Sequence, residues 1–342
     1  MKIKNLWRGL GLLLVVALFA TACGSSGTTS VAAQAEEPAA EEEPVAEEEA
    51  PAEEEAMEDD ETITLGVITK FPHPFFFAIE DAAQAWADDN GVELLTGAGE
   101  SGTDDEGVIA LVESMVTQGV DGIAVTPTGP AVQPALDAAI AAGVPIVLID
   151  NDLPDWDGKS SVVATDNFQG GVLAGEWLVQ NLESGATVGV LEGVAGTPSL
   201  DDRVNGMLQA LDGSGIEVVS STPTDCDQLQ GVSAAEDLLT ATPDVDAVYA
   251  ACGPPIIGAL QAISNAGIAP ENIVTVGFDA GDDELVEIAE GNQDASVAQF
   301  PPRMGELGIE TLHAVVTGGD FEANVDTGTG IVTADNVDEF GG

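Results

Sequence analysis

Basic side chains are nearly missing from this chain. Seven Lys and Arg stand against 61 Asp and Glu in 342 residues, a formal net charge of −54. Such a surface repels phosphate backbones and anionic lipid headgroups, which excludes nucleic-acid binding and polybasic membrane attachment. It suits a salty habitat, where self-repulsion is screened. Histidine is scarcer still, with two copies, and the three cysteines make no metal-spaced Cys/His set. No P-loop, GxSxG or HExxH occurs, and "GESGTDDEG" lacks EF-hand spacing. These absences argue against the common NTPase, hydrolase and metalloenzyme classes, so neither a cofactor nor a metal is expected.

Long apolar runs are also lacking. The longest, Leu10 to Ala20, follows Lys2, Lys4 and Arg8 and leads into Thr21-Ala22-Cys23. It is too short for a comfortable membrane span and has the layout of an export signal. Small residues directly before a cysteine resemble a bacterial lipoprotein box, which makes 1–22 a signal peptide and Cys23 the lipid-bearing residue. The following "EEPAAEEEPVAEEEAPAEEEAMEDDE" has no large apolar side chain to bury. It cannot offset its ordering entropy, and clustered like charges oppose a helix. Residues 23–61 therefore read as a lipid-anchored acidic tether with a reach of about 35 Å. The remainder carries 46 acidic residues (61 minus the 15 between Glu36 and Glu61) and four basic ones: Lys70, Lys159, Arg203 and Arg303.

What the chain does have, from Thr62 onward, is alternation. Short β-branched runs ("TITLGVIT", "VDGIAVTP", "VPIVLID", "ATVGVLEG", "NIVTVGFD") are separated by Ala-rich helical stretches. Apolar strands between helices predict an α/β fold with parallel sheets covered on both faces. Residues 120–150 also parallel residues 245–279: each reads strand, Pro-containing turn, helix, "AG" helix end, strand and terminal Asp. The duplication predicts two lobes of one architecture. Ligands bind beyond the carboxyl ends of strands in such sheets, which singles out Asp150 and Asp279, one per lobe. A second feature is "FPHPFFF", residues 71–77. Three consecutive aromatics cannot share one face at about 100° per residue. With Pro74 opening a helix, Phe77 is expected to pack inward while Phe75 and Phe76 face a cleft.

The segments "TKFPHPFFFAIEDAAQ", "ATDNFQGGVLAGEWL", "GVAGTPSLDDRVNGM", "TVGFDAGDDE" and "SVAQFPPRMGELGIETL" resemble the periplasmic-type sugar-binding proteins of the ribose-binding group, extracytoplasmic receptors of ABC importers. The resemblance implies two Rossmann-like lobes joined by a three-crossover hinge, residues 62–165 plus 300–328 and residues 166–299 plus 329–342. It implies a monosaccharide or polyol ligand contacted by Thr69, His73, Phe75, Phe76, Asp150 and Asn151 from the first lobe. Arg203, Cys226, Cys252, Asp279 and Gln299 are the second-lobe positions. Ionised carboxylates accept from vicinal hydroxyls, a guanidinium donates a planar fork, and aromatic rings cover C–H faces. The chain departs from the group's ribose binders at three positions: Asn151 stands where they tend to have Arg, Cys226 where they have an aromatic and Cys252 where they have Asn. In an oxidising compartment Cys226 and Cys252, both at pocket-lining positions, are expected to form a disulfide.

The expected role is thus capture of a monosaccharide or polyol for an ABC transporter permease, by a monomer held to the outer face of the membrane through its lipid alone. A sensory receptor for chemotaxis or a signalling kinase with the same pocket is the alternative. A repressor-type transcription factor of this lobe architecture needs a basic helix-turn-helix, which is missing. A glycosidase is disfavoured because an enclosing monosaccharide pocket leaves no room for a leaving group.

Overall fold

The computed structural model describes residues 62–340. The expected signal segment, Cys23 and the acidic run lie outside the described residues. The first half of the described chain forms β1 (Thr64–Thr69), α1 (Pro74–Asn90), β2 (Glu93–Ala98), α2 (Asp105–Gln118), β3 (Gly122–Val125), α3 (Gln133–Ala141), β4 (Ile146–Ile149) and β5 (Ser161–Ala164). There follow α4 (Asn167–Asn181), β6 (Thr187–Glu192), α5 (Pro198–Leu211), β7 (Glu217–Pro223), α6 (Gln228–Ala241), β8 (Ala247–Ala250), α7 (Gly253–Asn265), β9 (Val274–Asp279), α8 (Asp282–Glu290) and β10 (Ala295–Ala298). The chain closes with α9 (Pro301–Thr317), β11 (Asn324–Asp326) and β12 (Gly330–Thr333).

These strands make two six-stranded sheets, ordered β11-β5-β4-β3-β1-β2 and β12-β10-β9-β8-β6-β7. Every pairing is parallel except β10 with β12. The central strands β3, β4, β8 and β10 are buried at every residue, as helices on both faces require. In the first lobe one face packs Val108, Val112, Leu136 and Leu148 together, and the other joins Ile79 and Ala83 to Met304, Ile309 and Leu312 of α9. The second lobe repeats this, with Leu178 and Met207 on one face and Leu238, Ile256 and Ala259 on the other. Two sandwiched sheets are the α/β fold expected from the alternation.

The chain passes between the sheets three times, between β5 and α4, between β10 and α9, and between β11 and β12. The crossings are knitted together: the Thr327 amide donates to the Ala164 carbonyl at 3.0 Å, and the Gly328 and Asp166 amides share Asp326 Oδ1 at 2.8 and 3.3 Å. Helices α4 and α5 pack backbone to backbone through glycine. A methyl group at Gly171 would collide with the Arg203 carbonyl, and one at Gly206 with that of Phe168. This close approach brings Asn167 and Arg203 within hydrogen-bonding distance.

Candidate functional site

Five non-glycine residues have positive φ among the described residues: Asp150, Asp225, Cys226, Asp279 and Ala280. All lie at carboxyl ends of strands, after β4, after β7 and at the end of β9. Left-handed backbone costs free energy for any side chain beyond glycine, and it concentrates where surrounding contacts enforce a functional geometry. Asp150 and Asp279, φ 67° and 98°, carry the carboxylates that the sequence duplication singled out.

Asp279 is tightly held. Its Oδ1 accepts from Arg203 Nη1 at 3.1 Å and Gln299 Nε2 at 2.6 Å, and its Oδ2 accepts from the Gly253 amide at 3.1 Å. Arg203 is only 4% exposed. Its Nε donates to Asn167 Oδ1 at 2.8 Å, its Nη1 also donates to the Ala251 carbonyl at 2.9 Å, and its guanidinium lies 3.9 Å from the Phe278 ring centre. Gln299 Oε1, by contrast, is buried without a hydrogen-bond partner. A lone buried acceptor is costly, so this atom is poised to receive a donor.

Asp150 is buried too, but no hydrogen bond reaches its carboxylate from the described residues. Burial pushes its pKa up and the Asp279 charge adds to that, while Lys70 and Arg203 pull it down. Burial in turn pulls the Lys70 ammonium down, and Asp150 opposes that shift. These couplings put Lys70, Asp150, Arg203 and Asp279 in one charge cluster with members from both lobes. Lys70 was missing from the sequence-derived site. The signal was available: it is one of four basic residues in this part of the chain and stands at the carboxyl end of β1, the rarity argument that marks Arg203.

Four other expected contacts are occupied within the protein. Thr69 Oγ1 donates to Glu80 Oε1 on α1 at 2.5 Å. His73 is exposed and caps α1, its Nδ1 accepting from the Phe75 amide at 3.3 Å. Asn151 donates to the Pro127 carbonyl at 3.3 Å and accepts from Ser199 Oγ at 2.8 Å, a bond that spans the two lobes. Phe76 is in the first-lobe core, edge-on to Phe71 and Phe75 with ring centres 5.1 and 5.2 Å away. The expected division of the aromatics is therefore corrected. Phe76 packs inward, and Phe77 is 47% exposed. Phe75 is half-buried at the first turn of α1.

Cys226 and Cys252 are joined in a disulfide with Cα atoms 5.8 Å apart. It ties the turn after β7 to the residue that precedes α7, whose Gly253 amide holds Asp279. Closing a loop with a sequence separation of 26 removes denatured-state entropy worth roughly 3 kcal/mol. Replacing both cysteines with serine should lower the unfolding temperature accordingly, and calorimetry showing no decrease would contradict this. A cavity of about 310 Å³ opens beside the hinge, lined by Asp150, Thr165, Asn167 and Ser199, with Asp166 and Asp202 also on its wall. A larger groove, about 590 Å³, is lined by Val116, Val120, Val144, Val316 and Asp121, at the amino ends of β3 and β4 and away from the charge cluster.

A family profile described as "Periplasmic binding protein domain" matches residues 66–320. The chain belongs to that family. It is 33% identical over 266 residues to the ribose import binding protein RbsB of Haemophilus influenzae, covering 78% of this chain and 89% of the relative. The RbsB of Bacillus subtilis is also 33% identical over 266 residues, covering 77% and 84%. Among solved structures, an ABC transporter solute-binding protein of Mycobacterium smegmatis with bound glycerol superposes with a TM-score of 0.76 at 30% identity, covering 82% of this chain and 97% of the other. One from Burkholderia graminis in complex with D-arabinose gives 0.77 at 27% identity, covering 82% and 98%.

Proposed function

We propose that this member of the periplasmic binding protein family captures a neutral monosaccharide or polyol between its lobes and presents it to the permease of an ABC importer. The observation that carries the reading is the cluster of Lys70, Asp150, Arg203 and Asp279 at the facing sheet ends. Two cations and two carboxylates sum to no charge, so an anionic or cationic ligand would leave one group unbalanced in a desolvated site. The hydroxyls of a polyol donate to Asp150 and to Gln299 Oε1 and accept from Lys70, so two or more neighbouring hydroxyls satisfy all three. Names of relatives and structural neighbours support the class: ribose import for RbsB, and bound glycerol and D-arabinose for two of the structures. Family membership supports binding without catalysis, and ligand closes the lobes through contacts made only in the closed form.

The assignment extends to the rest of the chain. Export carries the protein across the cytoplasmic membrane, Cys23 bears the lipid, residues 24–61 hold the monomeric domain off the bilayer, and no helix among the described residues is long and apolar enough to cross it. Thermal shift with D-ribose, D-allose, D-arabinose and myo-inositol, set against gluconate and glucosamine, tests the central claim. At a concentration about 100 times its dissociation constant, a bound sugar stabilises by about 2.7 kcal/mol. One or more neutral compounds should raise the unfolding temperature. A response confined to the charged compounds, or none at all, would refute the reading.

A further inference from the structure

A second carboxyl lies buried against the Asp279 turn, and the binding chemistry gives it no role. Glu284, in the first turn of α8, is 1% exposed. Its Oε1 accepts from Gln293 Nε2 at 2.9 Å and from Ser296 Oγ at 2.7 Å, and its Oε2 lies 3.4 Å from the Gly281 amide. Ser296 Oγ in turn accepts from the Ala280 amide at 3.1 Å. A chain of hydrogen bonds thus runs from Glu284 to the residue after Asp279, and both residues of that turn are left-handed, at φ 98° and 47°. On its other side the carboxyl stands against Gly253: a methyl there would come within 2.8 Å of Oε2 and 3.3 Å of the Phe278 carbonyl. The Gly253 amide is one of the three donors that hold Asp279.

We propose that Glu284 is a positioning residue for the ligand site, fixing the strained Asp279–Ala280 turn through Ser296 and Gly253 and making ligand capture weaken in alkaline solution. The proposal rests on the reading of the cleft as a sugar site. The charged group facing Glu284 from β9 is Asp279, with Arg203 of α5 beyond it. From β10 and the turn before it come only Ser296 and Gln293, and α7 carries no titratable side chain. Asp338 and Glu339, on the turn packed against α8, are exposed. Among the described residues no Lys or Arg is within ion-pair distance of Glu284. Burial, and then the Asp279 charge, push its pKa up to about 8. The carboxyl is therefore mostly protonated at pH 7. Its folded pKa lies above the unfolded one, so stability is highest in acid and falls as pH rises toward 8. Above that, two carboxylates flank Gly253, and repulsion acts on the turn that aims Asp279.

Glu284→Gln tests this, because the amide keeps the acceptor for Ser296 and Gln293 and never ionises. Between pH 6 and about 8 the ligand-free wild type should lose thermal stability and then level off, while the variant follows a flatter curve. For whichever neutral sugar of the panel binds at pH 6, wild-type affinity should fall about tenfold by pH 9, the effect of one pKa unit of coupling. The variant should match the wild type at pH 6 and lose most of the alkaline decline. Superimposable pH profiles for the two proteins would overturn the proposal. If no panel compound binds the wild type at pH 6, the sugar-site reading fails instead, and the ligand-free stability profiles still judge Glu284. Should Glu284→Gln not fold, Ser296→Ala breaks the same chain: weaker binding at every pH supports the positioning role, and unchanged binding refutes it.

Discussion

Arg203→Met is expected to cut sugar-induced stabilisation to about half or less and to lower the stability of the ligand-free protein by about 3 kcal/mol. The second figure follows from what the guanidinium touches. It neutralises Asp279, donates to Asn167 and Ala251, and stacks on Phe278. Removing one partner of a buried ion pair leaves the other charge uncompensated, and such truncations cost about 3–5 kcal/mol. Gln299 and the Gly253 amide still donate to Asp279, which puts the loss near the lower end. The ligand effect adds to this. A hydrogen bond to a charged group contributes about 1.5–3 kcal/mol, so losing one weakens binding by roughly 10- to 100-fold before Asp279 is displaced. Arg203→Lys should recover the ion pair but not the fork to Asn167, and should bind at an intermediate level. Arg303→Met, at an exposed position, is the control and should change stability by about 0.5 kcal/mol or less. Calorimetry with and without sugar separates the two effects, and an Arg203→Met protein that still responds fully to sugar would exclude Arg203 from the site.

Much of this architecture is legible from residue order. β-Branched runs buried on both faces mark the strands, and the duplicated strand–helix–strand unit places Asp150 and Asp279 at equivalent sheet ends. Helix phase was legible too, yet misread. In α1 the buried positions are Phe76, Ile79, Ala83 and Ala87, spaced three, four and four apart. That stripe includes Phe76 and turns Phe77 outward. Counting back from the small apolar residues that follow assigns the aromatics correctly, whereas starting from the aromatics themselves does not. Asn151 illustrates a different limit. Its place beside Asp150 suggests a ligand contact, but its amide is taken up by Pro127 and, across the cleft, by Ser199. Only the relative placement of the lobes supplies that second partner, and no local pattern encodes it. Glu284 is hidden for a similar reason: "DDELVEIAEG" reads as an acidic, solvated helix start, and burial of its third residue depends on Gly253 and Gly277 standing opposite.

Asp150 and Asp279 look equivalent in the duplicated sequence, and the same substitution should nevertheless have opposite effects on stability. Asp279 receives three donors, so Asp279→Asn discards favourable charge interactions and should destabilise the ligand-free protein. Asp150 receives none from the described residues, and its pKa is raised with burial as the leading cause. A raised carboxyl pKa means that ionisation costs more in the folded protein than in the unfolded chain, with the attraction of Lys70 and Arg203 already counted. A neutral side chain of the same shape removes that cost. Asparagine also tolerates the left-handed backbone at φ 67° better than most residues. Asp150→Asn should therefore stabilise the ligand-free protein by on the order of 1 kcal/mol. The gain should be absent in acid, where the wild-type carboxyl is protonated in both states, and should grow as pH rises through its folded pKa. Sugar affinity should fall in the same variant by roughly 10- to 100-fold, because a charged acceptor for hydroxyls is lost. Unfolding curves from pH 4 to 8, with titration of the bound sugar, test both signs together. If Asp150→Asn were less stable than wild type at pH 7, the carboxylate would have to be gaining more from Lys70 and Arg203 than it loses on burial, and the charge-balanced cluster would be a structural ion pair rather than a site held open for ligand.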